Sequence, residues 1–141
     1  MATLLISLYE RHSENILNGL KTIELRKSKP KCLLENNNLP CNIFFYQTKP
    51  VSAIVGHANV IEIEKFSAFQ WCEKKENLCL TEEEIITYLK EKEGYGLRIA
   101  NPRRLKAPIS LDEMKKWGII PPQGYYYLSS EIAFKLLRNA I

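Results

Sequence analysis

The chain has 141 residues, 45% of them hydrophobic and 26% charged, with a formal net charge of +4. That balance excludes a disordered polyelectrolyte, and no apolar run approaches the roughly 18 to 20 residues that cross a bilayer as a helix. The expectation is one cytoplasmic domain over residues 1–141 with a core of its own and no membrane contact.

In chain order, Leu4 to Leu8 is a short apolar run interrupted by Ser7, and it reads as a buried strand. From Leu8 to Asn18, apolar or aromatic residues at Leu8, Tyr9, Ile16 and Leu17 suit a short helix with Gly19 at its C′ position. The period then changes from about 3.6 to 2. Ile23 and Leu25 point to one face, and Thr22, Glu24 and Arg26 to the other. Lys29-Pro30-Lys31 and Asn36 to Pro40 are turn chemistry, which makes Ser28 to Cys41 a basic loop able to close over a neighbouring pocket. Asn42 to Gln47 is a second buried strand. Val51 to Ile63 is a long one, with Gly56 marking a bulge or a close backbone approach.

Phe66 to Lys74 predicts a helix that half-buries Phe66, Phe69 and Trp71. A second helix, Glu82 to Lys92, opens on a capping box of Thr81 and Glu84 and closes at Gly94. Gly94 to Ala100 alternates as a strand, and Asn101-Pro102 turns it into Arg103-Arg104-Leu105. Ser110 caps a short helix over Leu111 to Gly118, and Pro121 to Gly124 is extended or turn. The last helix, Ser130 to Asn139, is expected to bury Ile132, Phe134, Leu136 and Leu137.

Lys21, Glu24 and Arg26 bring three ionisable side chains to one turn and the strand after it. They are either a plain structural ion pair or a pocket for a polar planar ligand. In the second case Arg26 supplies a rigid donor fork, Glu24 an acceptor and Lys21 a mobile cation. Basic residues cluster as Arg26, Lys27, Lys29 and Lys31, as Arg103, Arg104 and Lys106, and as Lys115 with Lys116. Convergence of two clusters makes a stripe that tracks a phosphate backbone; otherwise they are solvated surface. Cys32, Cys41, Cys72 and Cys79 leave eight and six residues inside the nearest pairs, which is not zinc-knuckle spacing. His12 and His57 stand alone, so neither metal nor cofactor is expected.

The run Ile16 to Arg26 resembles the Gly-x-Lys-x-x-Glu-x-Arg signature of ASCH domains. The similarity continues through Ala53-Ile54-Val55-Gly56, Gly94-Tyr95-Gly96, Pro108 to Leu111 and Pro121-Pro122-Gln123, covering nearly the whole chain. It implies an α+β fold, a small mixed or antiparallel PUA-like β-barrel flanked by helices. It also implies RNA or a nucleoside-like small molecule as partner, held in a cleft lined by Ser7, Lys21, Glu24 and Arg26. Tyr46, Tyr125 and Tyr126 are the candidate stacking residues, and Lys27, Lys29, Lys31, Arg103 and Arg104 the candidate nucleic-acid contacts.

Two enzymatic readings stand beside binding. Some small ASCH proteins are N4-acetylcytidine amidohydrolases with a catalytic lysine, threonine and glutamate. Lys21 matches their lysine, and Glu76, in Glu76-Asn77-Leu78-Cys79-Leu80-Thr81-Glu82, is similar to their glutamate. Their threonine falls on Glu24, and a carboxylate cannot serve as a hydroxyl nucleophile. That chemistry therefore needs Lys21 as a base on water, Glu76 as second acid or base and Arg26 polarising the carbonyl. The other reading is RNA cleavage by a cationic pocket that stabilises charge on a phosphate, with no dedicated signal in the sequence.

Overall fold

The computed structural model describes residues 2–28 and 39–139. Its centre is one six-stranded sheet in the order β2-β5-β4-β3-β1-β6. The strands are β1 (Thr3–Leu8), β2 (Ile23–Arg26), β3 (Cys41–Gln47), β4 (Ala53–Phe66), β5 (Gly94–Ser110) and β6 (Tyr125–Tyr127). β1 and β3 run parallel and the other neighbours antiparallel, so the sheet is mixed. It curls into a half-barrel that leaves β2 and β6 as its two edges.

The curl follows from two long strands with interrupted pairing. β4 and β5 shift register between Ile54 and Gly56, between His57 and Asn59, and between Val60 and Glu62. Each unpaired residue bends and twists the ladder locally. Val55 is skipped at the first shift, and next to it Gly56 allows a close approach: a Cβ there would sit 2.5 Å from a Leu17 methyl and 2.8 Å from the Arg103 carbonyl oxygen. Asn101, with φ of 54°, and Pro102 form a bulge inside a continuous 17-residue β5 rather than the expected turn.

Helices cover both faces. α1 (Glu10–Leu17) follows β1 and ends at Asn18, with Gly19 in the left-handed region at φ 79°. α1 lays Ile16 and Leu17 onto the concave face, over a core of Leu4, Ile6, Ile43, Phe45, Val60 and Leu97. α5 (Leu111–Lys116) and α6 (Ser130–Asn139) pack Met114 and Leu136 on the other side, against Leu5, Phe44 and Ile54. α2 (Ala68–Cys72), α3 (Lys75–Leu78) and α4 (Glu82–Leu89) cover the outer face of β2 through Trp71, Leu78, Ile85 and Leu89, which meet Ile23 and Leu25.

Several sequence expectations change here. Phe69 is 81% exposed and Phe134 64%, because the stripes of α2 and α6 that reach the core are carried by Trp71 and by Ala133 and Leu136. α4 stops at Leu89, with Lys90 in a positive-φ cap, and Gly94 opens β5 instead of closing the helix. The capping boxes at Thr81 and Ser67 and the Ser110 cap satisfy the first turns of α4, α2 and α5. The basic loop expected over Ser28 to Cys41 lies mostly outside the described residues, and Lys29, Lys31 and Cys32 with it.

Trp71 anchors the helical layer. Its indole N–H donates to the Gly94 carbonyl at 2.9 Å, and its ring fills the space above Gly96, where a Cβ would meet a ring carbon at 2.1 Å. Gly96→Ala should therefore push the indole off β5 and destabilise the fold by about 1–3 kcal/mol, read as a lowered denaturant midpoint with altered tryptophan fluorescence.

Candidate functional site

The turn between α1 and β2 is fixed by its own backbone. Leu20 and Lys21 both donate their N–H to the Asn15 carbonyl at 2.9 Å, and Thr22 donates to Asn77 O at 2.9 Å. Asn77 also donates through its side chain to the Thr22 hydroxyl at 3.2 Å, which occupies that oxygen on the α3 side. β2 then alternates: Ile23 and Leu25 face the outer helices, while Glu24 and Arg26 turn to the concave face at the open seam of the half-barrel.

A cavity of about 550 Å³ occupies that seam, a size suited to one small ligand. Lys21, Glu24, Arg26 and Ser7 all line it, so the structure brings these four residues together. Their roles differ from the expectation. Lys21 is not mobile: it is 2% exposed, its Nζ donates to Leu78 O at 2.5 Å, and Glu24 Oε1 lies 3.5 Å away. Glu24 is not an open acceptor, because Oε2 takes the Arg26 Nε–H at 2.8 Å. Arg26 Nη2 reaches across the seam to the Ser7 carbonyl at 3.3 Å, joining β2 to β1. The Ser7 hydroxyl is spent on Pro122 O at 2.5 Å, in the cavity wall.

Two cations around one carboxylate leave that cluster with one positive charge in excess, and Glu84, which also lines the cavity, has its charge met by Arg11. Burial pushes the Lys21 ammonium below its ordinary pKa, and the neighbouring Glu24 opposes that shift. Nη1 of Arg26 and the remaining N–H of Lys21 are left as donors among the described residues. The floor of the cavity is thus a donor surface, suited to an acceptor-rich anion.

His12 is the residue that sequence reasoning missed. It lines the same cavity, and its Nδ1 is buried with no hydrogen-bond partner among the described residues. Burial first, and the Lys21 charge second, hold its pKa below the ordinary value, so the imidazole is neutral near pH 7. The signal was present: His12 stands four residues before the buried Ile16, on the stripe of α1 that faces the sheet. Tyr9, Thr48, Glu84, Tyr88 and Gln123 also line the cavity. Glu84 is bound by Arg11 in a bidentate pair at 2.5 and 2.9 Å that ties α4 to α1, and that pair with the Thr81 cap lowers its pKa to about 2.

Other expected residues stand elsewhere. Tyr46 is buried in the convex-face core beside Phe44 and Ile54, so it is a packing residue and not part of the cavity. Tyr126 packs into that same cluster and donates its hydroxyl to Ile120 O, while the Tyr125 hydroxyl sits 3.2 Å from that of Ser28. Neither lines the cavity. Glu76 is exposed on α3, in a separate outer depression with Arg11 and Cys79, so the second carboxylate of the amidohydrolase arrangement is absent from the Lys21 cavity. Lys27 places its ammonium 4.8 Å from the centre of the Tyr88 ring, at the cavity's edge. Arg104 is held by Glu14 and Asn18, and Arg103 is exposed across from His57; neither lines the cavity. Among the described residues no group of His, Cys, Asp and Glu is arranged to hold a metal, and no helix is long and apolar enough to cross a membrane.

The ASCH domain family model matches residues 6–118. A protein of Zymomonas mobilis named an ASCH domain-containing ribonuclease is 29% identical over 138 residues, 94% of this chain and 88% of that protein. The crystal structure of ASCH from Zymomonas mobilis superposes with a TM-score of 0.85 at 24% identity, covering 96% of this chain and 94% of that one. The N-terminal domain of Staphylothermus marinus McrB shares the fold more distantly, with a TM-score of 0.61 at 10% identity over 96% of this chain and 93% of that one.

Removing one member of a buried charge cluster strands the others. Glu24→Ala should cost about 3–5 kcal/mol of stability in urea titration, whereas a cost below about 1 kcal/mol would make the cluster equivalent to a surface pair. The Glu84 pair predicts a pH effect. Its carboxyl pKa is depressed from 4.5 to about 2 in the fold, so the stability it contributes is present above pH 4.5 and is lost as pH falls towards 2. Melting temperatures of Glu84→Gln should lack that part of the acid decline.

Proposed function

The chain belongs to the ASCH domain family, and from that premise we propose that it binds RNA at the seam cavity and cleaves its phosphodiester backbone. The observation that carries the reading is the pairing of a donor floor bearing one excess positive charge with a neutral imidazole in the same cavity. The name of the Zymomonas mobilis relative, a ribonuclease, supports the same reaction.

The chemistry is an in-line transfer at phosphorus. The ribose 2′-oxygen bonds to phosphorus as its proton passes to the neutral His12 imidazole. The bond from phosphorus to the 5′-oxygen breaks, and that oxygen takes a proton from the Lys21 ammonium. The products are a 2′,3′-cyclic phosphate and a 5′-hydroxyl. Arg26 faces the charge that builds on the non-bridging oxygens, which is where fixed donors in a partly dry site act most strongly. Glu24 touches no reacting atom in this scheme; it positions the two cations. The lowered pKa of Lys21 makes it the better acid, and that of His12 keeps it available as a base at neutral pH.

The test is cleavage of a labelled single-stranded RNA resolved by gel, with end groups identified by mass spectrometry. His12→Asn should lower kcat by about 10²–10⁴ and Lys21→Gln by about 10²–10³, with folding verified by circular dichroism. In the wild type kcat/KM should fall on the acid side with a midpoint below 6.5, as the imidazole protonates. N4-acetylcytidine offered in parallel should release no acetate. Full RNA cleavage by His12→Asn, or cleavage without a cyclic phosphate, would remove the mechanism.

A further inference from the structure

We propose that Tyr9 is the base-stacking platform of this site, and that the RNA it accepts must therefore present an unpaired base. This inference rests on the RNA reading above and names its substrate class.

Tyr9 occupies a position where local rules favour something else. It is the N-cap of α1, with extended backbone at φ −68° and ψ 154°, and its side chain makes no capping hydrogen bond. Serine, threonine, aspartate and asparagine are preferred there because their oxygens satisfy an open helix N–H. The ring gains nothing from the core in exchange: it is 72% exposed and belongs to none of the three hydrophobic clusters. It does line the seam cavity, together with His12, Lys21 and Arg26. A residue that is wrong for capping and absent from the core, yet placed at the rim of a cationic cavity, is explained by a ligand.

The mount is rigid. Immediately before Tyr9, the Leu8 carbonyl accepts the Thr48 N–H at 3.0 Å. The Tyr9 carbonyl itself accepts the first helical N–H groups of His12 and Ser13, at 3.0 and 3.1 Å. Tyr9 and His12 therefore stand three residues apart at the start of α1, and both line the one cavity. A nucleotide whose phosphate meets Lys21 and Arg26 can lay its base on an aromatic face at the rim. Stacking of this kind accepts every base but requires that the base be out of a duplex.

The alternative is an exposed tyrosine with no ligand, and one substitution separates the two. Tyr9→Ser installs a good N-cap, so a purely structural view predicts equal or higher melting temperature and unchanged RNA binding. The stacking view predicts the same melting temperature effect with affinity lowered about 5- to 100-fold. The probe is a single-stranded RNA octamer carrying one 2-aminopurine, whose fluorescence is quenched by stacking, compared with the same strand annealed to its complement. Wild type and Tyr9→Phe should quench the single strand and bind it better than the duplex, and Tyr9→Ser should do neither. Unchanged binding by Tyr9→Ser, or equal binding of the duplex, would overturn the stacking role while leaving RNA binding in place. Wild-type protein that binds no RNA overturns both.

Discussion

The fold closes around a carboxylate held between two cations. Glu24 sits on an edge strand, and its partners arrive from different directions: Lys21 from the end of the α1 turn and Arg26 from two residues further along β2. Because Arg26 also donates to the Ser7 carbonyl and Lys21 to the Leu78 carbonyl, one carboxylate links β2, β1 and α3. An edge strand of only four residues has little pairing of its own. Here it is held on its outer face by Trp71, Ile85 and Leu89, and on its inner face by charge. Apolar closure of the seam would have been the cheaper route to stability, since buried ion pairs seldom outperform well-packed apolar groups. Keeping charges there preserves an open, polar cavity.

Much of the scaffold was legible in the sequence for local reasons. Alternation in Ile23 to Arg26, the capping chemistry of Ser110 and Thr81, and the glycines that follow two helices, Gly19 and Gly118, are all set by neighbours in the chain, and the elements form where those signals stand. The signature Lys21, Glu24 and Arg26 was legible as a cluster because its members are close in sequence. What was not legible depends on long-range curvature. Tyr46 and Ser7 are partners in the β1–β3 register, yet one is packed under α5 and α6 and the other borders the cavity, a difference set by which distant elements cover each position. Glu76 looked like a site residue from its sequence surroundings, but α3 meets β2 through Leu78 and the Asn77 backbone, which leaves Glu76 outside. The expected turn at Asn101-Pro102 became a bulge because β4 pairs on both sides of it, which no local window reveals.

The same cavity gathers three local violations. A lysine is almost wholly buried, a histidine nitrogen has no partner among the described residues, and an N-cap carries a tyrosine. Each costs stability when taken alone: desolvation of the ammonium, an unmade hydrogen bond, an unsatisfied helix end. Scattered over the surface they would be unrelated defects. Concentrated at one seam, they fit the reading proposed above, in which a nucleotide brings oxygens to the donors of Lys21 and Arg26 and an unpaired base to Tyr9.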